Sequence, residues 1–213
     1  MDDEVVRLRA EYDALVHAIS HDLRAPLRSI TGFGAALREE YAGKLGDDGE
    51  RYLQHMMDGA LVLSESFDGL LELSRVGTAP LVRAEVDLVP LVRDTLDKLR
   101  AGAPPREVDL QTPKRLVVSA DRMLTRLLVR HLVGNAWRFT AENAITEIRL
   151  SADGSEGAPQ VTLADNGVGF DPSLTTGAGI GLAVVRRIIE RHGGWIEVDS
   201  QQDQGTTVRF AME

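Results

Sequence analysis

A long helical stripe near the start of the chain constrains the fold most. Its apolar side chains recur at spacings of three and four residues, at Leu8, Tyr12, Leu15, Ile19, Leu23, Leu27, Ile30, Phe33 and Leu37. This spacing predicts a helix over about residues 4–40, with one apolar face close to a coiled-coil seam. A loop rich in glycine and aspartate follows over residues 41–49. Beyond it a second helical stripe comprises Leu53, Met56, Met57, Ala60, Leu63, Phe67, Leu70, Leu71 and Leu73.

Two helices with one apolar stripe each cannot bury both stripes by pairing only with each other. A two-fold dimer, in which two helical hairpins form a four-helix bundle, buries them. The alternative is a monomeric hairpin that packs on the C-terminal part of the chain. We expect the dimer.

His21 is the candidate reactive residue of the first helix. It lies two residues from both Ile19 and Leu23, so helical geometry turns it away from the stripe. An exposed imidazole beside the Asp22 carboxylate suits a nucleophile with an orienting partner. Pro26 is expected to loosen or kink the helix just after this histidine. On geometry alone, a histidine without a chemical role is the alternative.

Composition excludes several function classes. The chain has 213 residues, 43% of them hydrophobic and 27% charged, which suits one large or two small globular domains. The net charge of −9 argues against nucleic acid or an anionic membrane as a partner. With no cysteine, disulfides and thiolate chemistry are excluded. No apolar run is long enough for a membrane span, and the acidic start is unlike a signal peptide, so we expect a cytoplasmic protein.

Glycine and proline break the helical pattern over residues 75–80, and we place a domain boundary there, giving domains 1–78 and 79–213. The second domain shows mixed patterns that predict an α+β fold with helices on one face of a mixed sheet. Strands are predicted over about 85–88, 108–111, 115–119, 145–150, 160–164, 195–199 and 206–210. Helices are predicted from Pro90 to Arg100, after a cap at Asp121, and from Gly181 to Arg191.

The first candidate binding motif lies at the end of the helix that Asp121 caps, over residues 131–140. The amide oxygen of Asn135 is a hard ligand that suits Mg²⁺, and Arg138 can contact a phosphate. Alone, an asparagine at a helix end is more often a cap or a surface residue.

The second motif, Asp165-Asn166-Gly167-Val168-Gly169, directly follows an apolar strand. Its glycines allow the backbone to approach a ligand closely, and the Asp165 carboxylate can accept a hydrogen bond. An ordinary turn after a strand is the alternative.

The third motif has three alternating glycines, Gly177, Gly179 and Gly181, which lead into a helix. Glycine amides at a helix N-terminus can surround a phosphate. The spacing is not that of the dinucleotide fingerprint, and no βαβ unit surrounds it.

The order of these motifs carries a family resemblance. Residues 20–27, Ser-His-Asp-Leu-Arg-Ala-Pro-Leu, resemble the H-box of two-component sensor histidine kinases. The three later motifs resemble the N, G1 and G2 boxes of the GHKL ATP-binding fold, and Gly205-Thr206-Thr207 resembles its closing strand turn. The chain therefore resembles a histidine kinase transmitter core over nearly its whole length. The resemblance implies a helical-hairpin dimerisation domain followed by a GHKL-type α/β sandwich.

The resemblance also implies the residue roles. His21 would attack the γ-phosphorus of ATP, while Asp22 would hold or accept the other ring proton. Asp165 would accept from the adenine amino group, and Asn135 would bind a Mg²⁺ ion that bridges the phosphates. The remaining nucleotide-binding residues of the motifs would be Arg138, Phe139, Gly167, Gly169, Gly177, Gly179, Gly181, Leu182 and Thr206.

The implied partners are a second copy of the chain, an aspartate on the receiver domain of a response regulator, and an upstream sensory domain or protein that this chain does not contain. The implied cofactors are ATP and Mg²⁺.

The chain departs from the family pattern in three ways. His131 stands where a first asparagine is common, which leaves Asn135 as the amide ligand. Ala25 stands where family members that are also phosphatases carry threonine or asparagine. Only Asp171 to Thr176 separate Phe170 from Gly177, so the ATP lid is unusually short. The short lid keeps an alternative open, a non-enzymatic dimeric adaptor or phosphotransfer scaffold with an impaired nucleotide site.

Overall fold

The computed structural model describes residues 2–76, 80–154, 159–170 and 179–213, and the chain divides into two compact units, Met1–Arg75 and Val76–Glu213. The domain boundary that the sequence predicts between residues 78 and 79 lies outside the described residues. Each unit has its own fold.

The first unit is a helical hairpin formed by α1 (Asp2–Glu40) and α2 (Gly46–Val76). Pro26 lies inside α1 without ending it. The loop is shorter than the sequence predicts, because α2 begins at Gly46 and places Asp47 and Asp48 in its first turn. Carboxylates there interact favourably with the helix dipole, which explains why an aspartate-rich segment begins a helix.

The hairpin buries only part of its two apolar stripes. Leu27 of α1 and Leu53, Ala60 and Leu71 of α2 are buried. The helices are also joined by an ion pair between Arg24 and Asp68, whose Nη2 and Oδ1 atoms are 2.6 Å apart. Large apolar side chains of both helices nevertheless stay exposed, namely Ile19, Ile30, Phe33, Leu37, Tyr52, Met56, Leu61, Val62 and Leu63.

The second unit alternates strands and helices. Its elements are β1 (Arg83–Asp87), α3 (Leu88–Ala101), β2 (Glu107–Gln111), β3 (Val117–Asp121), α4 (Arg122–Phe139), β4 (Ile145–Asp153), β5 (Gln160–Asp165), α5 (Gly179–Arg191), β6 (Trp195–Gln201) and β7 (Gly205–Ala211). Every strand and helix that the sequence predicts is present, and the bounds differ by at most a few residues. The α+β fold class is confirmed.

The strands form two sheets, whereas the sequence predicts one. Five strands have the order β2-β4-β5-β7-β6, in which β2 and β4 are parallel and the other pairs are antiparallel. The strands β1 and β3 form a separate antiparallel pair. Each of these two strands ends at an aspartate that caps the next helix, because Asp87 accepts from the Val89 amide and Asp121 from the Met123 and Leu124 amides. The helix cap at Asp121 is confirmed.

Helix α4 contacts both α3 and α5, and the three helices share the core with the five-stranded sheet. The largest fully buried side chains include Phe210 and Ile148 from strands and Leu96, Leu128, Ile188 and Ile189 from helices. Among the described residues, no helix is both long and apolar enough to span a membrane.

Candidate nucleotide site

Asp165 ends β5 at a position where its side chain is half-buried. The Oδ1 atom accepts a hydrogen bond of 2.9 Å from the amide of Gly167. Burial raises the pKa of Asp165 above its ordinary value of 3.8, and the backbone amides of Gly167 and Thr206 oppose that rise. The ionised carboxylate can accept more hydrogen bonds than these two amides supply, so a ligand that offers an N–H group would be bound favourably.

The segment after Asp165 is fixed by contacts with three other elements. The Asn166 side chain accepts from the Glu147 amide and donates to the Ile145 carbonyl, at 2.9 and 3.0 Å. The Val168 amide donates to the Phe139 carbonyl at 3.1 Å, and the Val168 carbonyl accepts from the Asp203 amide at 2.7 Å. The loop is therefore held rigidly between the start of β4, the end of α4 and the β6–β7 turn.

Glycine is required at both predicted glycine positions of this loop. A Cβ atom at Gly167 would lie 2.8 Å from the Asp165 Oδ1 atom. A Cβ atom at Gly169 would lie 2.0 Å from the Gln201 carbonyl oxygen, and the Gly169 φ angle is +59°. Both glycines therefore have a packing reason that is independent of any ligand.

A second part of the candidate site lies where α5 begins against α4. A Cβ atom at Gly181 would lie 3.2 Å from His131 Nδ1 and 3.9 Å from Asn135 Nδ2. The missing side chain of Gly181 thus leaves the backbone of the first turn of α5 close to Asn135. Leu182, the next residue, is buried. The predicted Mg²⁺ ligand and a predicted phosphate-binding glycine are therefore neighbours.

Arg138 and Phe139, at the end of α4, connect the two parts. The guanidinium carbon of Arg138 lies 4.6 Å from the centroid of the Phe139 ring. Both side chains are exposed, and the Phe139 carbonyl is the group that accepts from Val168. Phe139 follows Asn135 by one helical turn, so α4 places both parts of the site at one helix end.

Thr206 lies beside Asp165 on the neighbouring strand. The two residues are directly paired in the antiparallel register of β5 and β7, so their side chains project from the same face of the sheet. The Thr206 Oγ1 atom is 2.9 Å from Ser200 Oγ on β6. Ser200 and Asn166 hold the site together, yet they are absent from the predicted site. Asn166 lies inside the second motif, whereas the position of Ser200 opposite Thr206 depends on strand register.

The remaining predicted residues lie elsewhere or outside the described part. His21 and Asp22 belong to α1 in the first unit, where Asp22 is exposed, and the His21 side chain is outside the described side chains. Gly179 is the first residue of α5. Gly177 and the short lid over residues 171–176 lie outside the described residues.

Two family models match the chain, one for each unit. Residues 12–79 match the His Kinase A (phospho-acceptor) domain, and residues 120–213 match the histidine kinase-, DNA gyrase B- and HSP90-like ATPase. Together they cover most of the hairpin and most of the second unit.

Curated relatives include proteins named as histidine kinases. The methanogenesis regulatory histidine kinase FilI of Methanothrix harundinacea is 29% identical over 98% of this chain, which spans 25% of that protein. The histidine protein kinase DivJ of Caulobacter vibrioides is 29% identical over 91% of the chain, which spans 36% of that protein. The chain thus spans about a quarter to a third of the length of these relatives.

Solved structures show the same fold. Full-length ShkA in complex with AMPPNP is 25% identical, with a TM-score of 0.56, and the match covers 93% of this chain and 45% of ShkA. The Acinetobacter baumannii histidine kinase AdeS is 21% identical, with a TM-score of 0.58, and the match covers 91% of this chain and 97% of AdeS. The second likeness concerns the fold alone.

Proposed function

Since the chain belongs to the two-component sensor histidine kinases and contains their transmitter core, we propose that it transfers the γ-phosphoryl group of ATP to His21. The observation that carries this proposal is the half-buried Asp165 carboxylate, which lies beside a loop of obligatory glycines and can accept a further hydrogen bond. An adenine amino group supplies the missing N–H donor.

The phosphates of ATP would lie toward the start of α5. Backbone amides in the first turn of a helix can bind an anion, and Gly181 places the first turn of α5 beside Asn135. Arg138 at the end of α4 would add a positive charge. Gly177 and Gly179 belong to the same proposed phosphate site.

The residues present fit Mg²⁺ as a partner of the nucleotide. Among the described residues, no group of three or more acidic or histidine side chains could hold a metal ion alone. Asn135 supplies one hard amide oxygen, so most of the other ligands would be phosphate oxygens and water. When bound, Mg²⁺ neutralises the charge that develops on the phosphates during transfer.

The proposed reaction would require residues from both units. A ring nitrogen of His21 forms a bond to the γ-phosphorus while the bond to the bridging oxygen of ADP breaks. Asp22 holds the proton of the other ring nitrogen, which keeps the attacking nitrogen unprotonated and basic. The phosphoryl group would then pass to an aspartate on the receiver domain of a response regulator. We also expect an upstream sensory domain or protein to control the reaction, and we expect the reaction to take place in the cytoplasm.

A homodimer is part of this function. The exposed large apolar side chains of α1 and α2 are those that a second hairpin would cover in a four-helix bundle. The match to the phospho-acceptor domain family supports this assembly.

Labelling with γ-³²P-ATP and Mg²⁺ tests the proposal. The full chain should acquire phosphate that is labile in acid and stable in base, and His21→Gln should abolish it. His17→Gln is the matched control, since it removes a histidine one helical turn away in α1 and should keep the label. Label that persists in His21→Gln would refute the site. A wild-type dimer that binds ADP but never acquires label would favour the adaptor.

A further inference from the structure

Three side chains form a row across the sheet at the proposed adenine site. Asp165 of β5 pairs with Thr206 of β7, and Thr206 pairs in turn with Ser200 of β6. Directly paired residues of antiparallel strands project to the same face. The row therefore runs from the half-buried Asp165 carboxylate through the Thr206 hydroxyl to the hydroxyl of Ser200, a residue that is only 9% exposed.

The Ser200 hydroxyl uses its whole hydrogen-bonding capacity. Its Oγ atom lies 3.0 Å from the Phe170 amide nitrogen, 3.1 Å from the Gly205 carbonyl oxygen and 2.9 Å from Thr206 Oγ1. A serine hydroxyl has one hydrogen and two lone pairs. The Phe170 amide can only donate and the Gly205 carbonyl can only accept. All three contacts are hydrogen bonds at once only when the single Ser200 hydrogen goes to Gly205 and both lone pairs accept, one from Phe170 and one from Thr206.

This accounting fixes the direction of the Thr206 hydroxyl. Its hydrogen points toward Ser200, so Thr206 offers only lone pairs to anything bound beside Asp165. The ionised Asp165 carboxylate likewise offers only acceptors. A ligand that presents hydrogens to both residues is favoured, and a ligand that presents an oxygen to them is disfavoured.

We propose that Ser200 is a positioning residue that orients the Thr206 hydroxyl and so makes the site select an amino group over an oxo group at purine C6. The inference rests on the proposed nucleotide site and assigns to Ser200 a role in base specificity. Without the Ser200 hydroxyl, the Thr206 hydrogen is free to turn toward the ligand and donate to an oxo group. The proposal differs from a purely structural role, which would weaken all nucleotides alike.

Calorimetric titration of the full chain with ADP and IDP separates these roles, because the two ligands differ only at C6 and the adjacent N1. Ser200→Ala should lower the ratio of ADP affinity to IDP affinity by about 3- to 10-fold, the range of one neutral hydrogen bond. Thr206→Val should lower the ratio as well, and the double variant should lower it no further than Thr206→Val does. Ser119→Ala, an exposed serine on β3, is the matched control and should keep the wild-type ratio.

The outcomes are distinguishable. If Ser200→Ala weakens ADP and IDP equally, Ser200 only holds the loop and the inference is wrong, while the nucleotide site stands. A wild-type chain that binds neither ligand would overturn both proposals. Should Ser200→Ala fail to fold, Thr206→Val decides, because an unchanged ratio in that variant also overturns the inference.

Discussion

At the scale of single residues, the ionised Asp165 carboxylate can bind a ligand but lowers the stability of the ligand-free fold. Burial raises its pKa above 3.8, so its contribution to stability is full below the unfolded-state pKa and is lost as pH rises through the folded-state value. At pH 7 the ionised carboxylate therefore costs stability. A ligand that donates to it offsets that cost, which ties stability to nucleotide binding.

We predict that Asp165→Asn weakens ADP binding and stabilises the ligand-free chain. The amide offers a donor where the ligand also donates, so affinity should fall by about 10- to 100-fold, as for a hydrogen bond to a charged group. The denaturation midpoint should rise at pH 7, with the gain disappearing toward pH 4. Asp153→Asn, at an exposed position on β4, is the control and should change neither quantity. Equal ADP affinity in wild type and Asp165→Asn would contradict the role.

His192 is a second residue whose environment sets a pH dependence. The ring is buried, its Nδ1 donates to the Ile188 carbonyl at 2.7 Å, and its Nε2 accepts from the Asp121 amide at 2.9 Å. The bond at Nε2 requires the neutral ring, because a protonated Nε2 has no lone pair to accept from the Asp121 amide. Burial lowers the pKa of His192 below 6.5, as do Arg83 and Arg191, while the Ile188 bond and Asp121 oppose the shift.

We predict that the second unit loses stability as pH falls from 7 to 5. Because the folded-state pKa is lowered, the contribution of His192 is full above the unfolded value of about 6.5 and is lost below it. Both tryptophans, Trp137 and Trp195, lie in this unit, so their fluorescence reports its unfolding. His192→Gln should lower the stability of the second unit at pH 7 and make that stability less dependent on pH. His55→Gln, at an exposed position on α2, is the control and should leave the pH dependence of stability as in the wild type. An unchanged slope in His192→Gln would count against this explanation.

Local sequence could predict Asp165 and Asn135 as candidate site residues, but it could not predict the partners that fix the site. His192 and Asp121 are 71 positions apart, and Ser200 and Phe170 are 30 apart. Their pairing depends on how strands and helices meet, and no periodicity within a short segment contains that information.

At the scale of elements, the contact of α4 with α5 decides where the phosphate-binding turn lies. A pair of glycines tests this contact, since both are helical and only one faces a neighbour. A Cβ atom at Gly181 would lie 3.2 Å from His131 Nδ1, whereas a Cβ atom at Gly134 would meet nothing within 4 Å.

We predict opposite results for alanine at these two positions. Gly134→Ala should stabilise the chain by roughly 0.5–1 kcal/mol, the difference in helix propensity, and leave ADP affinity unchanged. Gly181→Ala should displace the His131 ring or the start of α5. The chain would then gain little or no stability from the alanine, and its affinity for ADP should fall by a few-fold or more. Denaturant unfolding and calorimetry measure both quantities. Tighter ADP binding in Gly181→Ala would show that the close approach is not needed.

The elements themselves were largely predictable, because hydrophobic periodicity and caps such as Asp121 act within a few residues. The separate pairing of β1 with β3 was not, since which strands pair depends on register between distant segments. The early start of α2 was missed for a local reason. Glycines near residues 43–49 indicate a loop, while Asp47 and Asp48 stabilise a helix start there.

At the scale of the whole molecule, the hairpin presents apolar side chains that its own helices do not cover. Phe33 is 73% exposed and Leu63 is 51% exposed, whereas Leu27 is 7% exposed. The two sequence stripes include all three side chains and could not separate buried from exposed positions, because a stripe at helical spacing is wider than one helix–helix contact. Exposure now divides it into a hairpin core and a candidate dimer surface.

We predict that Leu63→Asp dissociates the dimer while the hairpin stays helical. In a two-fold assembly the substitution occurs twice, and each copy loses apolar burial and gains a charge that the interface must desolvate. A loss of about 1.5–3 kcal/mol per site raises the dimer dissociation constant by at least roughly 100-fold. Light scattering of the full chain at micromolar concentration should change from a dimer mass to a monomer mass, with little change in circular dichroism.

Two matched variants separate dissociation from unfolding. Met123→Asp replaces an equally large, 73% exposed apolar side chain in the second unit, adds the same charge at a helix start, and should leave the dimer intact. Leu27→Asp places the charge in the hairpin core. It should therefore lower the helical content seen by circular dichroism as well as change the light-scattering mass from dimer to monomer. If wild type has a monomer mass at these concentrations, or if Leu63→Asp remains dimeric, the exposed stripe is not the dimer surface. The hairpin would then need another partner to cover Phe33 and Leu63.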